Sequence, residues 1–192
     1  APFYHKLSYE LRSVNVELIA VSKTKPVEDI LELYNAGQRI FGENYVQELI
    51  EKREQLPDDI QWHFIGHLQT NKVKYIAPFV SCIQSVDSIK LLKEIDKEAG
   101  KNKRIIECYL QIYIAREETK FGLSFEEADD LLRQISIGTF KNICIKGLMA
   151  MASFSNDMDL VRNEFKTLKN YFDTITSKFI SPNIQLKVLC MG

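Results

Sequence analysis

A lysine stands where an apolar run gives out, in Val16-Glu17-Leu18-Ile19-Ala20-Val21-Ser22-Lys23-Thr24-Lys25-Pro26. The run reads as a buried parallel strand. Pro26 stops it and suits the first position of a following helix, where its missing N–H costs nothing. Strand-to-helix junctions are where α/β folds keep their chemistry. In apolar surroundings a lysine loses its charge readily, because desolvation disfavours the ammonium. Lys25 pushes the same way and offers positive charge to an anionic ligand. A neutral amine is what a Schiff base with a carbonyl compound requires. The plainer alternative is that Lys23 caps the strand and points to water, as most lysines do.

Other strand ends add fewer candidates. They are Gly42-Glu43-Asn44-Tyr45, His63, Gly66-His67, Ser85, Asp87, Lys120-Phe121-Gly122, Met149-Ala150-Met151 and Met191-Gly192. Glycines there permit a tight turn or the close approach of a ligand. Asn44 is well placed to cap a helix and could also touch a ligand. In Trp62-His63-Phe64, alternation puts His63 on the face opposite both aromatics, where a hydrogen-bonded core role competes with catalysis. Met149 and Met151 suit packing. The chain has no nucleophile elbow, dinucleotide fingerprint or Walker loop.

These residues must be positioned by repeated strand–helix units. Strands are expected at Val16–Ser22, Arg39–Gly42, Gln61–Ile65, Phe79–Ser85, Arg104–Ile114, Ile143–Leu148 and Leu186–Met191. Helices are expected between them, with Asn44 capping the one that runs to Glu54. The clearest carries Val161, Phe165, Leu168, Phe172, Ile175 and Phe179 at three- and four-residue spacing, one buried face. Alternation of this kind implies a parallel sheet, either doubly wound or closed as a β/α barrel. Seven strand candidates favour the barrel, although a closed barrel has eight.

With 25 basic and 26 acidic residues among 192, nothing points to a nucleic-acid partner. Cys82, Cys108, Cys144 and Cys190 are far apart and read as core thiols in a reducing compartment. His5, His63 and His67 share no metal-ligand spacing. Without a bilayer-length apolar segment or a signal-like N-terminus, a soluble cytoplasmic protein without membrane contact is expected, as a monomer more than a dimer.

Three long motifs, L-I-A-V-S-K-T-K-P (Leu18–Pro26), F-G-E-N-Y-V-Q-E (Phe41–Glu48) and Q-W-H-F-I-G-H-L-Q-T-N-K (Gln61–Lys72), occur in order. They are followed by E-T-K-F-G-L (Glu118–Leu123), G-L-M-A-M (Gly147–Met151) and Met191-Gly192. Together they resemble the pyridoxal-phosphate homeostasis proteins, single-domain relatives of the alanine racemase barrel. The resemblance implies one TIM-type (β/α) barrel domain over residues 1–192, with Lys23 holding pyridoxal 5'-phosphate as a Schiff base. It further implies that Lys25 tunes the field, that Asn44 and His63 line the ring site, and that Met149, Met191 and Gly192 bound it. Lys120 would be a secondary contact. Only Pro2–Arg12 precede the first strand, a short version of the family's N-terminal helix. The family continues past Gly192 with a serine-containing turn, a helix and an eighth strand that supply the main phosphate site. Those parts lie outside this sequence, so weak phosphate retention and an open barrel are expected.

The role implied is holding pyridoxal phosphate and delivering it, apo-enzymes being the partners. The alternative is a pyridoxal-phosphate-dependent amino-acid racemase. That reaction needs an acid–base group on each face of the substrate. Lys23 could serve one face; alanine racemase takes the other from a tyrosine of a separate β domain, for which this chain has no room.

Overall fold

The computed structural model describes residues 2–115, 121–138 and 140–192. Seven parallel strands follow one another in chain order, each paired with the next. They are β1 (Ala20–Val21), β2 (Ile40–Glu43), β3 (Gln61–Phe64), β4 (Cys82–Val86), β5 (Ile106–Gln111), β6 (Ile143–Ala150) and β7 (Ile184–Met191). A doubly wound sheet reverses its strand order partway; this one never does, and it curls as an incomplete barrel with β1 and β7 at its edges. Each expected strand is found. The first is much shorter than expected: Ala20 and Val21 alone form it, opposite Phe41 and Gly42.

The helices are α1 (Pro2–Ser13), α2 (Val27–Asn35), α3 (Val46–Arg53), α4 (Val73–Ile76), α5 (Ile89–Lys101), α6 (Phe125–Ser136) and α7 (Met158–Lys178). Local chemistry starts several of them. Ser88 Oγ accepts the Leu91 N–H at the head of α5, and Ser124 with Glu127 forms a reciprocal capping box on α6. Asp157 accepts the Asp159 and Leu160 N–H groups at the head of α7. Asn44 does not cap α3. The cap position falls on Tyr45, in extended backbone and with no side-chain bond to the helix.

Strand alternation splits the apolar side chains into two sets. Phe41, Phe64, Ile83, Leu110, Ile145 and Leu148 face the helices and form the main core. On the concave face Cys82, Tyr109 and Met149 pack together, with Cys190 against them. All four cysteines are free thiols, three of them buried, in keeping with core packing. The α7 stripe is only partly interior. Leu168, Ile175 and Phe179 are buried, whereas Val161, Phe165 and Phe172 are half-buried. The first turns of α7 instead bury Glu164, which accepts the Ser153 N–H at 2.8 Å and hydroxyl at 2.6 Å. No described helix is long and apolar enough to cross a membrane.

Candidate functional site

Lys23 lies at the carboxyl end of β1. Ser22 extends the β1 ladder by one bond, its N–H donating to Gly42 O at 3.0 Å. Lys23 and Thr24 then occupy the centre of a turn closed by Lys25 N–H donating to Ser22 O at 3.1 Å. Lys23 and Lys25 are both exposed. The burial expected to strip the charge from Lys23 is therefore not found. A two-residue strand is too short to enclose its own terminus.

What surrounds the turn is a buried charge network. Glu43, at the end of β2, is wholly buried, and Lys52 of α3 is nearly so. Lys52 Nζ donates to Glu43 Oε1, Glu48 Oε1 and the Ser22 carbonyl, each at 2.6 Å. Ser22 Oγ donates to Glu43 Oε1 at 2.6 Å, and Thr24 N–H donates to Glu48 Oε1 at 2.6 Å. Thr24 has φ 61°, a left-handed conformation unfavourable for a β-branched residue. Burial raises the Glu43 carboxyl above the usual range, against the pull of its bonds to Lys52 and Ser22. Its Oε2 is buried with no partner among the described residues. In the sequence Glu43 stands out only as a strand end, and Lys52 is one helix lysine among others. The available signal was Glu48 and Lys52 at i,i+4 on a helix, with a lone carboxylate closing an apolar strand.

Asn44 follows Glu43, and its Oδ1 is likewise buried, with no partner among the described residues. His63 is in register with Gly42 and Cys82, so it shares the concave face. Its Nδ1 lies 2.7 Å from Gln84 Nε2, and its ring meets Tyr109 edge-on at 6.5 Å. Burial lowers the imidazole pKa to about 4, which keeps the ring neutral. Burial likewise pushes the Tyr109 hydroxyl well above its ordinary value.

Met149 joins this concave cluster. Met191 does not. It pairs with Ala150, a member of the helix-facing core, while its neighbour Cys190 packs against the concave set. Gly192 is tied into the ladder, its N–H donating to Ala150 O and its carbonyl accepting from Ala152 N–H, both at 3.1 Å. Over the same end of the sheet, His67 stacks on Phe121 at 4.3 Å and its Nδ1 lies 3.7 Å from an Asp87 carboxylate oxygen. That contact joins the loops after β3, β4 and β5. Lys120 lies outside the described residues. No group of three or more His, Cys, Asp or Glu among the described residues could hold a metal.

Residues 4–192 match the family described as alanine racemase, N-terminal domain. The chain belongs to that family. Within it, the chain is 37% identical over 182 residues to a pyridoxal phosphate homeostasis protein of Pasteurella multocida, covering 92% of this chain and 76% of that protein. It is 36% identical over 194 residues to the Homo sapiens protein of the same name, covering 95% and 70%. Kinship at this level places it with the pyridoxal phosphate homeostasis proteins of the family. Among solved structures, PipY of Synechococcus elongatus without pyridoxal phosphate superposes with a TM-score of 0.88 at 34% identity, covering 98% of this chain and 88% of that one. PipY with pyridoxal phosphate bound gives 0.84 at 33% identity, covering 97% and 86%. A Clostridium difficile alanine racemase gives 0.69 at 14% identity over 98% of this chain and 52% of its own, a likeness of fold alone.

Proposed function

We propose that residues 1–192 act as one pyridoxal-phosphate-binding unit that holds the cofactor through Lys23 and serves its homeostasis and delivery in the cytoplasm. The observation that carries this reading is the exposed Lys23 amine on a braced turn at a strand's carboxyl end. It occurs in a chain 33% identical to a protein solved with that cofactor.

The described residues fit the reactive and ring end of the molecule. Lys23 offers an accessible amine, and Asn44 Oδ1 is a buried acceptor that a cofactor hydroxyl would satisfy. His63, Tyr109 and Met149 supply a wall that excludes water. Lys25 adds positive charge beside the site. When bound, the cofactor supplies an electrophilic aldehyde conjugated to an electron-withdrawing ring. Lys23 Nζ would hold the cofactor by condensing with that aldehyde, C=N replacing C=O with loss of water.

Holding and delivery, more than turnover, suits the chemistry of the wall. Two-base racemisation needs a second group able to exchange a proton near neutral pH. On the concave face, burial keeps His63 neutral and Tyr109 protonated. Neither has a pKa matched to that task.

The test is to add pyridoxal phosphate, follow the yellow absorbance, reduce with borohydride and map the modified residue. Hydride adds to the C=N carbon and fixes the adduct as a secondary amine. The expected result is one label, on Lys23, absent from K23A. Labels scattered over surface lysines would overturn the reading.

A further inference from the structure

We infer that Glu48 is a positioning residue for Lys23: through the Thr24 N–H and the Lys52 ammonium it fixes the turn that presents the amine, and cofactor affinity depends on it. The inference rests on the reading of Lys23 as the cofactor lysine.

Lys23 is exposed, so its place is set by its neighbours. Ser22 and Thr24 flank it, and both are tied to α3. Lys52 takes the Ser22 carbonyl and, by the same ammonium, both carboxylates. Glu48 Oε1 accepts at once from that ammonium and from the Thr24 N–H, so one oxygen couples the two ties. Thr24 sits at φ 61°, a geometry that persists only where surrounding bonds over-determine it. The Glu48 bond is such a restraint. Without it the turn can relax to ordinary backbone, and the amine moves with it. Small misplacements of a reacting group carry large penalties in bond formation.

Glu48 is also the member that can be removed without collapse. Its side chain is 24% exposed, and Lys52 keeps Glu43 and the Ser22 carbonyl when Glu48 is gone. E48A should therefore fold. A suitable control is E51A on the same helix, an exposed residue bonded only to Gln47 and Gln55 among the described contacts.

The experiment titrates the intact chain and its variants with pyridoxal phosphate by absorbance, and follows amide hydrogen exchange at Thr24 without cofactor. E48A is expected to weaken binding about tenfold, the scale of one hydrogen bond to a charged acceptor. Its Thr24 amide should lose protection while the thermal midpoint barely moves. E48Q should recover most of the affinity, because an amide oxygen still accepts from Thr24, and E51A should match the wild type. An E48A titration identical to wild type overturns the inference, as does a Thr24 amide unprotected in the wild type. A wild type that takes no label on Lys23 overturns the function proposed above; Thr24 exchange then decides the clamp by itself.

Discussion

The two ends of this sheet solve the same problem by different physics. At one end β1 pairs through two residues, Ala20 and Val21, and the turn beyond it is held by buried charge from α3. At the other, β6 and β7 run eight residues each, and the ladder itself carries the terminus out to Gly192. Backbone bonds need no desolvated ions, so the long pair ends in apolar packing of Met149 against Cys190. The short pair cannot fix its own end, and Glu43, Glu48 and Lys52 do it instead. Lys23, proposed above as the cofactor lysine, therefore rides on the end whose geometry can be tuned by substituting side chains.

The strongest way to break the contrast is K52M. It leaves Glu43 and Glu48 facing each other without their cation, and removing one partner of a buried pair costs about 3–5 kcal/mol. Urea unfolding should show it, and the loss should deepen as pH rises. The sign follows from Glu43: a carboxyl already raised by burial binds its proton more tightly folded than unfolded, so stability falls as pH climbs above 4.5. A loss insensitive to pH would count against the buried-charge account.

His63, on the concave face between the two ends, has the opposite sign. Its pKa falls from 6.5 to about 4 on folding, so the unfolded chain takes up the proton first. Stability is full above pH 6.5 and declines toward pH 4, by on the order of 3 kcal/mol. The difference in unfolding free energy between wild type and H63Q, measured across that range, should trace this slope; a flat difference would refute it.

Next come two close approaches that sharpen the comparison. A Cβ on Gly66 would lie 2.4 Å from Asn44 O, and one on Gly147 2.2 Å from Val188 O. Both contacts are with backbone, so G66A and G147A should each cost about 1–3 kcal/mol. Only G66A, beside the charged end, should also weaken cofactor binding. Smallest is S22A. It removes one hydroxyl bond to Glu43 and should cost about 1 kcal/mol in thermal unfolding, with M149A unaffected by its presence in a double-mutant cycle.

Much of this was legible in the chain. Strand and helix order, the seven parallel strands, the free core thiols and the Lys23 junction follow from short-range pattern, because hydrophobic period and turn residues act within a few positions. The reading that failed, Asn44 as a helix cap, was also local. Asn44 has the chemistry of a helix cap, yet α3 starts one residue later and its oxygen is buried without a partner among the described residues. Met191 has the chemistry of a pocket wall, but its pairing with Ala150 turns it to the helix side and gives Cys190 the concave place.

By itself, then, the sequence determined the alternating β/α plan, the lysine at the first strand's end and the kinship carried by its motifs. Only the tertiary structure decided that Lys23 is exposed, that the sheet runs in unreversed order and that Glu43, Glu48 and Lys52 meet beneath the turn. The reason is physical. Propensity and periodicity are properties of neighbouring residues, whereas burial and charge pairing depend on which distant segments the fold packs together.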